Sequence, residues 1–224
     1  MTALPMFPLG SVLLPGSVLP LNIFEPRYRQ LVRDCVEAPE HEFGVVLIER
    51  GSEVGGGDVR RDVGTIARMV QVAELPDGRY AVIAVGTARM RVVSWLPDDP
   101  YPLADVEVLP DALADGDSDT LWPSIDGLLG RVRSAAALAL ELGDPATDPT
   151  SITRDALGDD LVDASYRLVS AAPVGSDDQY RLLAASGPTE RLTLLAEMLE
   201  SLEAVLAFRL ADAGEQAGDD LGGG

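Results

Sequence analysis

The chain reads as an α+β protein: a β-rich first half that closes as a small barrel or sandwich, then a helical second half. Three observations carry this reading. Between residues 43 and 109, short apolar runs of strand length alternate with turn signals. Near residue 110 the composition shifts through the acidic stretch DALADGDSD (111–119), and helical periodicity replaces alternation. Beyond Thr189 leucines recur at spacings of three and four, the stripe of an amphipathic helix. The expected organisation is a β-rich subdomain over 1–110, a helical subdomain over 120–212, and a disordered acidic, glycine-rich tail over 213–224.

The apolar, proline-bearing segment Leu13 to Leu21 comes first. Prolines confine such a stretch to a sheet edge or a loop. PLNIFEPRYRQLV (20–32) follows, and after Pro26 the apolar positions are Tyr28, Leu31, Val32 and Cys35, one face of a helix. Pro26 suits a first helical turn and forces Glu25 into an extended conformation. Glu25 then sits beside the positive end of the helix. The expected role of Glu25, Pro26, Arg27 and Tyr28 is a structural corner, with Glu25 pairing with Arg27 or with Arg89 or Arg91 of a later strand.

FGVVLIE (43–49) has the length of a strand, and GSEVGGGD (51–58) reads as a mobile loop. GTIARMVQVAEL (64–75) and GRYAVIAVG (78–86) flank Leu75-Pro76-Asp77-Gly78, a hairpin turn in which proline presets φ and glycine accepts positive φ. ARMRVVSW (88–95) continues the hairpin, with Arg89 and Arg91 expected on one face and Met90 and Val92 on the other. YPLADVEVL (101–109) alternates Ala104, Val106 and Val108 against Asp105 and Glu107. In the second half helices are expected over 120–143, closed at Gly143, over 155–173, over 177–186, and from an N-capping Thr189 onward.

Composition removes several classes of chemistry. All 17 basic residues are arginine, and the chain has no lysine. A phosphate-binding P-loop, a Ser-Lys dyad and Schiff-base chemistry each need one. The net charge of −20 opposes nucleic-acid binding, which needs a basic patch. No apolar run reaches the length of a membrane span and no signal peptide is visible, so a cytoplasmic protein is expected. His41 is the one histidine and lies in a polar loop; Cys35 falls on the apolar helix face. Together they are too few for a structural zinc site. The acidic groups Asp115/Asp117/Asp119 and Asp159/Asp160/Asp163 lack EF-hand spacing. No cofactor is expected.

FPLGSVLLPGSVLPLNIFEPRYRQLV (7–32) resembles the start of the LON substrate-binding domain, the N-terminal domain of Lon-type ATP-dependent proteases. The resemblance continues through FGVVLI (43–48), VGTIARMVQV (63–72), LPDGRYAVIAVGTARMRV (75–92) and YPLADVEVL (101–109), and returns in PVGSDDQYRLLAASGPTERLTLLAEML (173–199). It implies a PUA-like β pseudo-barrel followed by a helical subdomain. It further implies a free-standing, non-catalytic bacterial protein of protein quality control, without the ATPase module and the protease domain of full Lon proteases. The implied partner is an unfolded polypeptide with exposed apolar segments, or a separate protease or ATPase that the chain serves as adaptor.

A sheet edge can accept such a segment as an added strand, and the residues expected to present it are Leu14, Pro15, Val18, Leu19, Pro20, Leu21 and Phe24. The rival reading is a small-ligand or nucleic-acid-related sensor using the PUA-like pocket, with Trp95 and Trp122 as candidate cage residues. Enzyme activity is the third reading and lacks an assembled acid–base pair or activated nucleophile. The leucine stripe can be satisfied inside the helical half or by self-association.

Overall fold

A computed structural model describes residues 2–50, 59–113 and 117–221. The loop expected at 51–58 and the last tail residues, 222–224, lie outside the described residues. The elements are β1 (Thr2–Leu9), β2 (Val18–Ile23), α1 (Pro26–Glu37), β3 (Glu42–Arg50), β4 (Val59–Glu74), β5 (Tyr80–Leu96), β6 (Leu103–Val108), α2 (Asp117–Glu141), α3 (Arg154–Leu157), α4 (Leu161–Ala171), α5 (Ser176–Ala184) and α6 (Pro188–Leu221). They form two compact units. The first holds the strands with α1 and takes in Gln179–Ala184 of α5; the second holds the remaining helices. No helix among the described residues is long and apolar enough to cross a membrane.

The first unit is one six-stranded sheet in the order β2-β5-β4-β3-β1-β6, closed by a further β5–β6 pairing. Closure depends on the length of β5, which runs without interruption through Gly86. Its Tyr80–Val85 half pairs with β2, and its Met90–Leu96 half pairs with β6. Two register shifts between β4 and β5, at Ile66/Ala67 and at Met69/Gln71, add the local twist that lets the sheet coil. The β4–β5 turn forms at Leu75–Gly78 as the sequence predicts: Gly78 has φ +78° and donates its N–H to the Leu75 carbonyl at 2.8 Å.

β1 is the strand that the sequence hides. Pro5 and Pro8 break its alternation, yet it lies between β3 and β6. Thr2–Pro5 pair with β6 on one side and Met6–Leu9 pair in parallel with β3 on the other. Neither ladder uses the whole strand, so a missing proline N–H removes little pairing. The barrel interior packs Met6, Val46, Ile66, Met90, Val92, Ala104 and Val106. A Cβ on Gly44 would meet the Met6 sulfur and the Met90 methyl at 2.5 Å, and one on Gly64 would collide with the Val45 carbonyl oxygen. α1 covers the other face of the sheet. Its Tyr28, Leu31, Val32 and Cys35 are buried with Phe7, Phe43, Val45, Met69 and Val82, as the i, i+3, i+4, i+7 pattern requires.

In the second unit Leu192, Leu195, Leu199 and Leu206 of the α6 leucine stripe are buried, and Leu202 and Leu210 are half-buried. Ile125, Val132 and Ala136 of α2 and Leu168 of α4 join them. Arg131 grips Glu203 through two parallel bonds of 2.9 Å.

Three helix expectations change. The helix expected over 155–173 divides into α3 and α4, because Gly158 adopts φ +75° and Asp160 caps α4 by accepting the Asp163 N–H at 2.9 Å. Thr189 does not cap α6. The Gly187 carbonyl accepts the Arg191 N–H, Pro188 opens the first turn, and the Glu190 carboxylate reaches back to the N–H and hydroxyl of Ser186 at 2.7 and 2.6 Å. Finally, α6 runs on to Leu221 where a disordered tail is expected from 213. Ala211, Ala213, Glu215 and Ala217 are good helix formers, and extending an existing helix is far easier than starting one.

Candidate functional site

The open place in the barrel is the free edge of β2. Within the sheet β2 has a single strand neighbour, β5. An antiparallel strand turns alternate N–H and C=O groups away from its partner, so the far side of β2 carries backbone groups that no other strand among the described residues pairs. The sequence explains why the strand lies flat on the core and yet stays open. Leu19, Leu21 and Ile23 alternate inward, Ile23 fully buried and the two leucines half-buried against the cluster beneath α1. Val18, Pro20 and Asn22 alternate outward.

The seven residues expected to present an apolar segment separate into three groups. Leu14 and Pro15 are buried ahead of the strand. Leu19 and Leu21 form its half-buried underside. Val18, 63% exposed, Pro20, and Phe24, 56% exposed, reach the surface. Two further surface residues join them that the sequence reading passed over. Pro20 lies directly opposite Ile83 of β5, and Ile83 lies opposite Gln71 of β4, beside the register shift that turns Val70 outward. Ile83 is 36% and Val70 59% exposed, so a short apolar row crosses three strands. The signal for Ile83 was its alternation with the buried Val82 and Ala84; Val70 carried none, because a bulge breaks the period.

At the corner after β2, of the three partners expected for Glu25 it is Arg27 that meets it. Glu25 precedes α1 at φ −68°, ψ 136°, the extended conformation that Pro26 imposes, and its carbonyl accepts the Arg29 N–H at 2.9 Å. The Arg27 guanidinium donates to the Glu25 carboxylate at 3.2 Å and lies 4.5 Å from the Tyr28 ring centroid. Tyr28 stacks on Phe7 at 4.2 Å. One cation is therefore held between a carboxylate and an aromatic face that is anchored in the core.

Arg89 and Arg91 stand elsewhere. Arg91 sits opposite Glu107 across the β5–β6 ladder and approaches it to 3.8 Å. Arg89 is 3% exposed and donates to the carbonyls of Leu109, Pro110 and Leu183 at 3.3, 2.9 and 3.0 Å, with Asp111 at 3.6 Å. It ties α5 to the end of β6. Nearby, Tyr180 donates to Asp62 at 2.9 Å, and its ring lies 4.9 Å below the Arg61 guanidinium.

The remaining reactive groups have structural duties. His41 is exposed at φ +56°, with Nδ1 bonded to the Cys35 carbonyl at 3.0 Å, so Nδ1 carries the proton. Cys35 is 1% exposed; burial first, and then the Asp34 carboxylate, push its thiol up to about 12. It stays protonated and offers no nucleophile at neutral pH. Trp95 and Trp122 each have a ring face covered by an arginine of their own unit, Arg60 at 4.5 Å and Arg154 at 3.8 Å. Asp160 of the second acidic group serves as a helix cap.

Comparison with known proteins agrees with this architecture. Residues 3–201 match the family described as the ATP-dependent protease La (LON) substrate-binding domain. A Lon protease of Anaeromyxobacter dehalogenans is 30% identical over 207 residues, which is 91% of this chain and 24% of that protein. Lon protease 2 of Sorangium cellulosum is 36% identical over 114 residues, half of this chain and 14% of that protein. The chain thus spans a quarter or less of the length of these curated relatives. Among solved structures, a Lon N-terminal domain protein from Xanthomonas campestris superposes with a TM-score of 0.61 at 29% identity, covering 88% of this chain and 98% of its own. The N-terminal domain of a Mycobacterium avium complex Lon protease gives a TM-score of 0.62 at 16% identity, covering 89% of this chain and 98% of its own, a likeness of fold.

Proposed function

Since the chain belongs to the LON substrate-binding domain family, we propose that it is a non-catalytic module that binds unfolded polypeptides through the open edge of β2. An extended client segment adds to β2 as a further strand, and its backbone takes up the unused N–H and C=O groups. Its apolar side chains lie along Val18, Pro20, Phe24 and Ile83. The observation that carries this reading is an edge strand with one neighbour, flanked by large exposed apolar residues. Exposed edges are ordinarily blunted by charge. β2 has no charged residue between Val18 and Ile23.

The absence of lysine, the buried and protonated Cys35 and the exposed lone His41 support a binding role over an enzymatic one. The partner is a cytoplasmic client chain, presented to a separate protease or ATPase, for which this chain acts as adaptor.

The test is the affinity of the purified protein for a fluorescently labelled, permanently unfolded model protein, with its folded form as control. Selective micromolar binding should fall about tenfold in the double variant Val18→Asp/Phe24→Ser, because two exposed apolar contacts of about 0.7 kcal/mol each are replaced by polar groups. Both positions are exposed, so circular dichroism of the variant should match the wild type. Equal affinity of wild type and variant would overturn the reading.

A further inference from the structure

A second concave feature lies in the barrel unit. A cleft of about 430 Å³ opens at the C-terminal end of α1. Its floor is the edge of the barrel interior, lined by the half-buried Leu4 and by the buried Ile66 and Val106. Its rim carries the carboxylates of Asp34, Glu40 and Glu42, and no arginine lines it. Barrel mouths of this size are common ligand sites when a few polar groups converge on an apolar floor.

The rim is predominantly negative, three carboxylates against the one guanidinium of Arg68 that pairs with Glu42. Asp34 accepts from Tyr101 Oη at 2.6 Å and from Gln30 Nε2 at 2.7 Å, and both donors are neutral. Glu42 is met by Arg68, whose side chain is 55% exposed, at 2.8 Å. Glu40 stands exposed on the rim. The end of α1 adds the negative pole of its dipole, and its last turn contains no basic residue to offset it.

We propose that this cleft takes an arginine or lysine side chain carried on an apolar polypeptide segment, held by Asp34, Glu40 and Glu42 above the floor of Leu4, Ile66 and Val106. A carbon stem ending in a cation matches an apolar floor ringed by carboxylates. A polypeptide is favoured over a free amine because the floor runs out to Val108 on β6, 61% exposed, where flanking aliphatic residues can lie. The inference rests on the polypeptide-binding reading and deepens it: clients would be selected for apolar segments that carry basic residues, as the overall charge of −20 also favours.

The experiment uses a labelled peptide of alternating leucine and arginine, and a twin in which each arginine is citrulline, of the same shape without the charge. Wild-type protein should bind the arginine peptide about tenfold more tightly than the twin, the sum of two or three partly screened charge pairs. Glu40→Gln/Glu42→Gln should reduce that ratio to about twofold. Glu197→Gln/Glu200→Gln, the same change of charge on α6, should leave it unaltered. The exposed Glu40→Gln change alone carries the test if the double variant is misfolded.

A ratio unaffected by the rim variant, or lowered equally by the α6 variant, would overturn the proposal. So would displacement of the peptide by n-butylguanidinium at equal concentration, which would point to a small organic cation. If the ratio is unaffected by the rim variant while a neutral unfolded protein still binds through β2, the functional reading stands and this inference alone falls.

Discussion

Removing the Arg89 side chain is the sharpest perturbation of the barrel unit. The guanidinium is 3% exposed and donates to three backbone carbonyls, with the Asp111 carboxylate at 3.6 Å. One of those carbonyls, Leu183, lies in the last turn of α5, where helix carbonyls have no partner within the helix. Arg89→Ala withdraws these bonds from the interior and removes the buried cation beside the half-buried Asp111 carboxylate. Deleting one partner of a buried ion pair costs about 3–5 kcal/mol. Each withdrawn carbonyl bond alone is worth about 1 kcal/mol, which reaches the same range.

A loss of about 4 kcal/mol corresponds to a fall in Tm of roughly 10 °C for a chain of this size. Urea unfolding followed by circular dichroism measures it as a lower midpoint at unchanged slope. Arg89→Lys keeps the charge, but an ammonium cannot address three separated carbonyls, so it should recover less than half of the loss. Limited proteolysis should cut Arg89→Ala first near Gln179–Ala184, the segment that Arg89 ties down. A cost below about 1 kcal/mol, or a lysine variant equal to wild type, would refute the reasoning.

Two further predictions concern the barrel interior and α1. Gly64→Ala should destabilise more than Gly44→Ala, by about 1–3 kcal/mol against less than about 1, because the first meets the Val45 backbone and the second only flexible methionine ends; equal midpoints in urea would contradict the packing described. Cys35 should resist thiol reagents at pH 8 until the protein unfolds. With its thiol pushed up to about 12 in the folded state, stability is retained below about pH 9 and falls as pH rises toward 12, since only the unfolded chain releases the proton in that window. Cys35→Ala should flatten that fall between pH 9 and 11 by up to about 1.4 kcal/mol per pH unit, and identical slopes in the two proteins would exclude the burial argument.

Much of the fold was legible because it is local. The turn at Leu75–Gly78, the strand around 43–49, the apolar face of α1 and the leucine stripe of α6 are periodic or carry turn chemistry within a few residues. The splitting of 155–173 was also written locally, in Gly158 and Asp160, but its alanine- and leucine-rich flanks mask it. The candidate site was legible in outline. Val18, Pro20 and Phe24 do reach the surface, whereas Leu14 and Pro15 are buried ahead of the strand. Ile83 and Val70 join the site only through β2–β5–β4 register and a bulge, which alternation in one strand cannot reveal.

By itself the sequence determined most of the elements other than β1, which faces are apolar, the excess negative charge, and the chemistry that a chain without lysine cannot perform. Those are properties of residue type and short spacing. The tertiary structure alone decided that a proline-bearing β1 closes the barrel between β3 and β6, that Arg89 serves α5 and not the Glu25 corner, and that the barrel mouth meets three carboxylates. Each of these joins residues far apart in the chain. Such a pairing is chosen by the surface it buries and the backbone groups it satisfies, and no short window of sequence contains both partners.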